Sequence, residues 1–246
     1  MARLGRRQAF AAIIEQQPVY GRIVFDAASN SGYQAAASSY NWNHTCTGQQ
    51  RFLAVDISLL SVAGTTVTAV TYNGVALSLI GAKSSVSGAD RVECWGLANP
   101  ASGTNTIAVT LSASIASAGT AVSYTGVHQT VPTEAFNSAQ ATNGGSPADA
   151  TVTVTTVAER AWVHAALATD DTAVTANQTS RNNVTGAAGS GANEDTGPIY
   201  PAAATAVSYT GVGALATWAI AGYAIRPEAA AGLMSANRML LLGVGV

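Results

Sequence analysis

Asn105-Thr106-Ile107-Ala108-Val109-Thr110-Leu111-Ser112 alternates apolar and small polar side chains without a break. Successive side chains of a strand point to opposite faces. Ile107, Val109 and Leu111 therefore share an inward face, and Thr106, Ala108 and Thr110 an outward one. The same period recurs on both sides of this stretch. Arg51–Leu60 aligns Leu53, Val55, Ile57 and Leu59. Thr151–Val157 sets Val152 and Val154 between threonines, and Ala161–Thr169 interleaves Val163, Ala165 and Leu167 with Trp162, His164 and Ala166. Thr217–Arg226 carries Trp218 and Ile220 on one face, and Ala219, Ala221, Tyr223 and Ile225 on the other.

Turn signals separate these runs. Asn73-Gly74 lies between Val67–Tyr72 and Val75–Ile80, and such a pair supplies the two positive φ angles of a tight hairpin. Asn99-Pro100-Ala101-Ser102-Gly103 is a second turn. Pro132, Asn143-Gly144-Gly145 and Pro147 mark a long mid-chain loop, and Gly186–Pro198 reads as another glycine-rich loop. About ten to twelve short strands follow between Arg22 and Pro227, with no crossover helices. This predicts an all-β chain: an antiparallel β-sandwich, jelly-roll-like, over residues 22–227.

The composition fits. Of 246 residues, 48 % are hydrophobic and only 10 % charged, against about 25 % charged in an ordinary domain. A net charge of −2 creates no field that would gather nucleic acid. Cys46 and Cys94 could form one bridge, but both sit in apolar strand-like runs where a thiol acts as a small buried hydrophobe. One heptapeptide occurs twice, as Ala121-Val122-Ser123-Tyr124-Thr125-Gly126-Val127 and as Ala206-Val207-Ser208-Tyr209-Thr210-Gly211-Val212. It reads as two equivalent strands, each ending at a glycine turn.

The two ends differ from the body. Residues 1–21 read as a short helix or arm. Arg3, Arg6 and Arg7 make it basic, while the remainder of the chain is acidic. Residues 228–246 form an apolar tail with Leu233, Met239, Leu240, Leu241 and Leu242. Its last apolar run, Met239–Val246, is far shorter than the roughly 20 residues of a membrane span. A free tail of this kind is an aggregation hazard, so it is expected to be buried in a neighbour or as an added strand.

The middle of the chain resembles a β-sandwich module common in phage structural proteins and phage-derived bacterial sequences. Tyr40–Gly48 followed by Arg51-Phe52-Leu53-Ala54-Val55 resembles its opening strands, and Val70–Leu77 its hairpin. Val92–Leu97 with Asn99–Gly103, Val122–Val127 and Trp218–Pro227 also fit. The resemblance implies a jelly-roll-like virion component and brings no catalytic residues with it.

No catalytic, cofactor or metal constellation is legible. His44, His128 and His164 lack a partner at fixed spacing and read as histidines packed in a sheet. Asp170-Asp171 and Glu194-Asp195 read as solvated loop acids. Trp42, Trp95 and Trp218 lie within strand runs and read as core, which leaves Tyr33 and Tyr200 as surface aromatics for stacking on a sugar. The expectation is a non-enzymatic virion protein without cofactor, nucleic acid or membrane. It is a capsid decoration or accessory protein assembled in the host cytoplasm. Arg3, Arg6, Arg7, Leu233 and Met239–Leu242 dock it to capsid proteins or to sister copies in a homo-oligomer. The alternative is a lectin-like adhesin or a tail or baseplate module. It would bind host glycans through the loops around 128–150 and 186–200, with Tyr33 and Tyr200 in contact.

Overall fold

A computed structural model describes residues 21–60, 64–142 and 148–229. The basic arm (Arg3, Arg6, Arg7) and the docking positions Leu233 and Met239–Leu242 lie outside them. Every regular element among the described residues is a strand, and all the pairings are antiparallel. The described residues form fifteen strands in three sheets.

The first half of the chain folds as β1 (Val24–Cys46), β2 (Phe52–Leu60), β3 (Val67–Tyr72), β4 (Val75–Ala76), β5 (Ser78–Ser84), β6 (Arg91–Ala98) and β7 (Gly103–Thr125). These form one sheet in the order β4-β3-β7-β2-β6-β5, with β1 also on β7. β1 and β7 are each 23 residues long and pair along their whole length. Register shifts between Asn30 and Ser39 interrupt the ladder at mid-length, where bulges add bend and twist. The sheet thereby folds over on itself. Leu53, Val55, Ile57 and Leu59 pack inside the fold against Val67, Val70, Tyr72, Ile107, Val109 and Leu111. This is the alternation read in 105–112, now closed into a core.

The second half supplies β8 (Thr133–Thr142), β9 (Ala150–Thr155), β10 (Trp162–Thr169), β11 (Thr175–Ala176), β12 (Thr179–Gly186), β13 (Gly189–Pro198), β14 (Ala204–Thr210) and β15 (Thr217–Ile225). The second sheet runs β12-β13-β10-β15-β8 and the third β11-β14-β9. The outer face of the first sheet lies on the second. Phe52, Ala54, Val92, Val122 and Tyr124 meet Trp162, Ala166, Ala219, Tyr223 and Ile225 there. The opposite face of the second sheet packs Val163, Leu167 and Ile220 on Val152, Val154, Val207 and Tyr209 of the third.

Two expectations are corrected. The long loop after Pro132 contains β8, an edge strand with half-buried and exposed side chains. Gly186–Pro198 is not a loop: it is most of the β12–β13 hairpin, and Gly189–Asp195 is buried. Propensity alone assigns Gly, Ser, Asn, Glu and Asp to turns, but here tertiary partners satisfy them. The Asn73-Gly74 hairpin forms as read, with φ of 50° and 76°. Cys46 and Cys94 are free and buried.

The repeated heptapeptide is one device used twice. Each copy ends a strand at a glycine of positive φ, Gly126 at 71° and Gly211 at 80°. A Cβ would lie 2.1 Å from the Arg22 carbonyl oxygen at Gly126, and 2.6 Å from that of Ala173 at Gly211. Both tyrosines are buried and reach β10 from opposite faces. Tyr124 meets the His164 ring, and Tyr209 donates to the Ala165 carbonyl.

Candidate functional site

The first two sheets enclose a polar cluster that the apolar alternation hides. β2 buries both of its faces, so Asp56 and Ser58 point toward the second sheet. His164 on β10 places Nε2 2.8 Å from Asp56 Oδ2 and Nδ1 2.9 Å from the Tyr124 hydroxyl. Tyr124 donates to Asp195 Oδ2 at 2.9 Å, and Arg181 grips both Asp195 oxygens at 2.7 and 3.0 Å. Asn193 Nδ2 donates to Asp56 Oδ2 and to Thr120 Oγ1. With Tyr124 donating to Asp195, its oxygen accepts from Nδ1. Every contact then joins a donor to an acceptor when both ring nitrogens carry hydrogen. Two carboxyl groups thus face one imidazole and one guanidinium.

A carboxylate, an imidazole and a hydroxyl in line suggest a relay. Yet Asp56, His164 and Tyr124 are at most 1 % exposed, so no substrate reaches them. The cluster joins β2 and β7 to β10, β12 and β13. A buried network that is satisfied only by specific partners fixes how sheets register. Beside it, Glu194 accepts from the Gln178 N–H at 2.7 Å. Burial pushes its carboxyl up to about 7, partly offset by that hydrogen bond.

The residues singled out from sequence separate. Glu194 and Asp195 are interior strand residues, which corrects their reading as loop acids. Asp170 accepts from the Thr217 N–H, and Asp171 from the N–H groups of Ala173 and Gly213, so this pair ties loop backbone together. Among the described residues, no group of three or more His, Cys, Asp or Glu is arranged to hold a metal. His44 and His164 are buried in the sheets as read, and His128 Nδ1 accepts from the backbone of Thr130 and Val131.

Tyr33 is not a free surface aromatic. It is half-buried, a Cβ on Gly186 would lie 2.1 Å from its ring, and its hydroxyl accepts from the Ala188 N–H. It is a strut between β1 and the β12–β13 turn. Tyr200 is 68 % exposed, with the Arg160 guanidinium 5.9 Å from its ring centroid. The two tyrosines flank opposite ends of β13, roughly 30 Å apart at about 3.4 Å per residue, so they do not share a platform.

Open clefts among the described residues include two that border candidate positions or segments. One, of about 360 Å³, is lined by Arg22, Ile23, Arg160, Pro198 and Tyr200. The larger, about 600 Å³, opens between β5 and β8 and is lined by Phe52, Leu79, Gln129, Thr133, Phe136 and Tyr223 among others. The sequence reading reached only one wall of the larger one, in the segment around 128–150, because the other wall comes from an edge strand of a different sheet. No family model, no curated protein and no solved structure matches this chain.

Proposed function

We propose that this chain is a non-enzymatic structural protein of a virion, a capsid decoration or accessory protein docked by its two terminal segments. The carrying observation is where those segments leave the fold. The Gly21 N–H donates to the Glu228 carbonyl at 2.6 Å, Glu228 N–H donates to Gly126, and Pro227 bridges Val127. The points where residues 1–20 and 230–246 join the described chain therefore lie side by side. A single patch on a particle or sister copy can engage both. The resemblance to phage β-sandwich modules, carried by the strand and turn patterns of the sequence, supports the same reading. Arg3, Arg6 and Arg7 would pair with acids, and Leu233, Met239, Leu240, Leu241 and Leu242 would supply apolar burial worth about 1.5–3 kcal/mol each when complete.

Light scattering tests this. The full chain is expected to form a defined oligomer or to load onto particles, and deletion of residues 1–17 or 233–246 is expected to abolish it. Unchanged assembly after both deletions would sink the reading.

A second reading, glycan binding by the displayed protein, is favoured by the larger cleft. Residues 129–136, within the segment expected to contact sugars, form one of its walls.

A further inference from the structure

The polar cluster between the first two sheets holds the parts of a reaction that needs no outside substrate. Thr120 on β7 is the register partner of Asp56 on β2, so their side chains stand together on one face. Asn193 on β13 meets both from the second sheet. Its Nδ2 donates to Asp56 Oδ2 at 2.9 Å and to Thr120 Oγ1 at 3.0 Å. A carboxylate only accepts, which fixes the amide nitrogen inward. The amide oxygen points the other way and accepts from Asn182 Nδ2 at 3.1 Å. Asn182 is itself held, because Nδ2 also donates to the Ala121 carbonyl and Oδ1 accepts from Asn30.

A nucleophile, an electrophile, a base and an oxyanion donor are thus assembled in one place. The Thr120 hydroxyl hydrogen is loosely engaged, with Oγ1 3.5 Å from the Asp56 carbonyl oxygen. The Asn193 carbonyl carbon is one C–N bond, about 1.33 Å, beyond the nitrogen that touches Oγ1. A modest turn of the amide brings it to the roughly 3–3.5 Å of a reacting pair. Asp56, Thr120 and Asn193 are at most 2 % exposed. Burial keeps out the water that would compete for the amide or cleave the product.

We propose that Thr120 and Asn193 join in an ester cross-link formed by the folded chain itself. Thr120 Oγ1 attacks Asn193 Cγ while the Asp56 carboxylate takes the hydroxyl proton. The charge that develops on Asn193 Oδ1 is met by Asn182 Nδ2. The Cγ–Nδ2 bond then breaks, and Asp56 passes the proton to the nitrogen already bonded to its Oδ2. One ammonia leaves for each ester formed. The bond ties β7 of the first sheet to β13 of the second, whatever the chain docks on.

Mass spectrometry of the full chain, unfolded and intact, tests this. Its mass is expected to fall below the sequence mass by one ammonia. Proteolysis should release the peptide with Thr120 joined to the peptide with Asn193, and mild alkali should part them with uptake of one water, leaving Asp at 193. Thr120→Val should show its full sequence mass and melt at a lower temperature. Thr120→Ser keeps a hydroxyl and should keep the loss of ammonia. A wild-type chain of full sequence mass would overturn the cross-link. So would an ammonia loss confined to one linear peptide, as from a succinimide at Asn73-Gly74. Conversion of Asn193 to Asp with no joined peptides would overturn it too, because water and not Thr120 would then be the nucleophile.

Discussion

Glu194 and His44 are both buried, and burial moves them in opposite senses. It raises the Glu194 carboxyl from 4.5 to about 7 against the opposing hydrogen bond from Gln178. It lowers the His44 imidazole from 6.5 to about 4 against the opposing charge of Asp26. Between about 4.5 and 7 the folded chain keeps a proton on Glu194 that the unfolded chain has released. Stability from this group therefore falls as pH rises. Between about 4 and 6.5 the unfolded chain protonates His44 and the folded chain does not, so stability from this group falls as pH drops. In the overlap the two slopes, each at most about 1.4 kcal/mol per pH unit, oppose each other. The wild type is expected to be nearly flat from about 4.5 to 6.5 in a series of urea titrations. Glu194→Gln should uncover a loss of stability on acidification, and His44→Gln a loss on alkalinisation. Variants that track the wild-type profile would show that neither group titrates this way. Below this window Asp26 takes over. Burial raises its carboxyl, but hydrogen bonds from Thr47 and Ser123 together bring it below 3.8, so its contribution disappears as pH falls through that depressed value.

At the scale of the element, β13 decides how closely two sheets approach. Its run Gly189-Ser190-Gly191-Ala192 keeps side chains small where β2 and β7 pass over it. A Cβ on Gly191 would stand 2.7 Å from Ser58 Oγ and 3.0 Å from Ala118 Cβ. Ser58 Oγ is already committed to the Leu167 carbonyl at 2.9 Å. Gly191→Ala must therefore displace Ser58 or part the sheets. The expected cost is about 1–3 kcal/mol, outweighing the roughly 0.4–1 kcal/mol that Gly→Ala returns through the unfolded chain. Calorimetry should show a lower melting temperature, and an unchanged or higher one would refute the close approach. The same strand shows where legibility from sequence stops. β2, β7, β9, β10 and β15 were readable because apolar residues alternate, or run unbroken, on pleated surfaces. β13 was not, since its polar side chains become strand residues only when Asp56, Thr120, Tyr124 and Arg181 satisfy them. One signal did exist: Asp56 is the one ionisable residue in a strand that is apolar apart from it and Ser58, and a buried carboxylate demands partners. Its partners His164 and Asn193 stand 108 and 137 positions away, at separations that no periodicity records.

Across the whole molecule, three cores share their walls. β2 and β7 place one face in the folded first sheet and the other between the first and second sheets. β10 and β15 do the same between the second and third. Losing any one core exposes the back of strands that line the next, and the polar cluster from Asp56 to Arg181 crosses the middle layer. This layout argues for one cooperative unit over the described residues. The tryptophans make it measurable, because Trp42, Trp162 and Trp218 each belong to a different core. Three variants, each keeping one of them with the other tryptophans changed to Phe, report the cores separately by fluorescence in urea. Their transitions should share a midpoint with far-UV circular dichroism of the same variant, even if the substitutions shift that midpoint between variants. A Trp218 transition at lower urea than the circular dichroism of its own variant would show that the third sheet melts first. The shared strand faces would then transmit less than their burial implies, and the third sheet would have to be treated as a unit separable from the second.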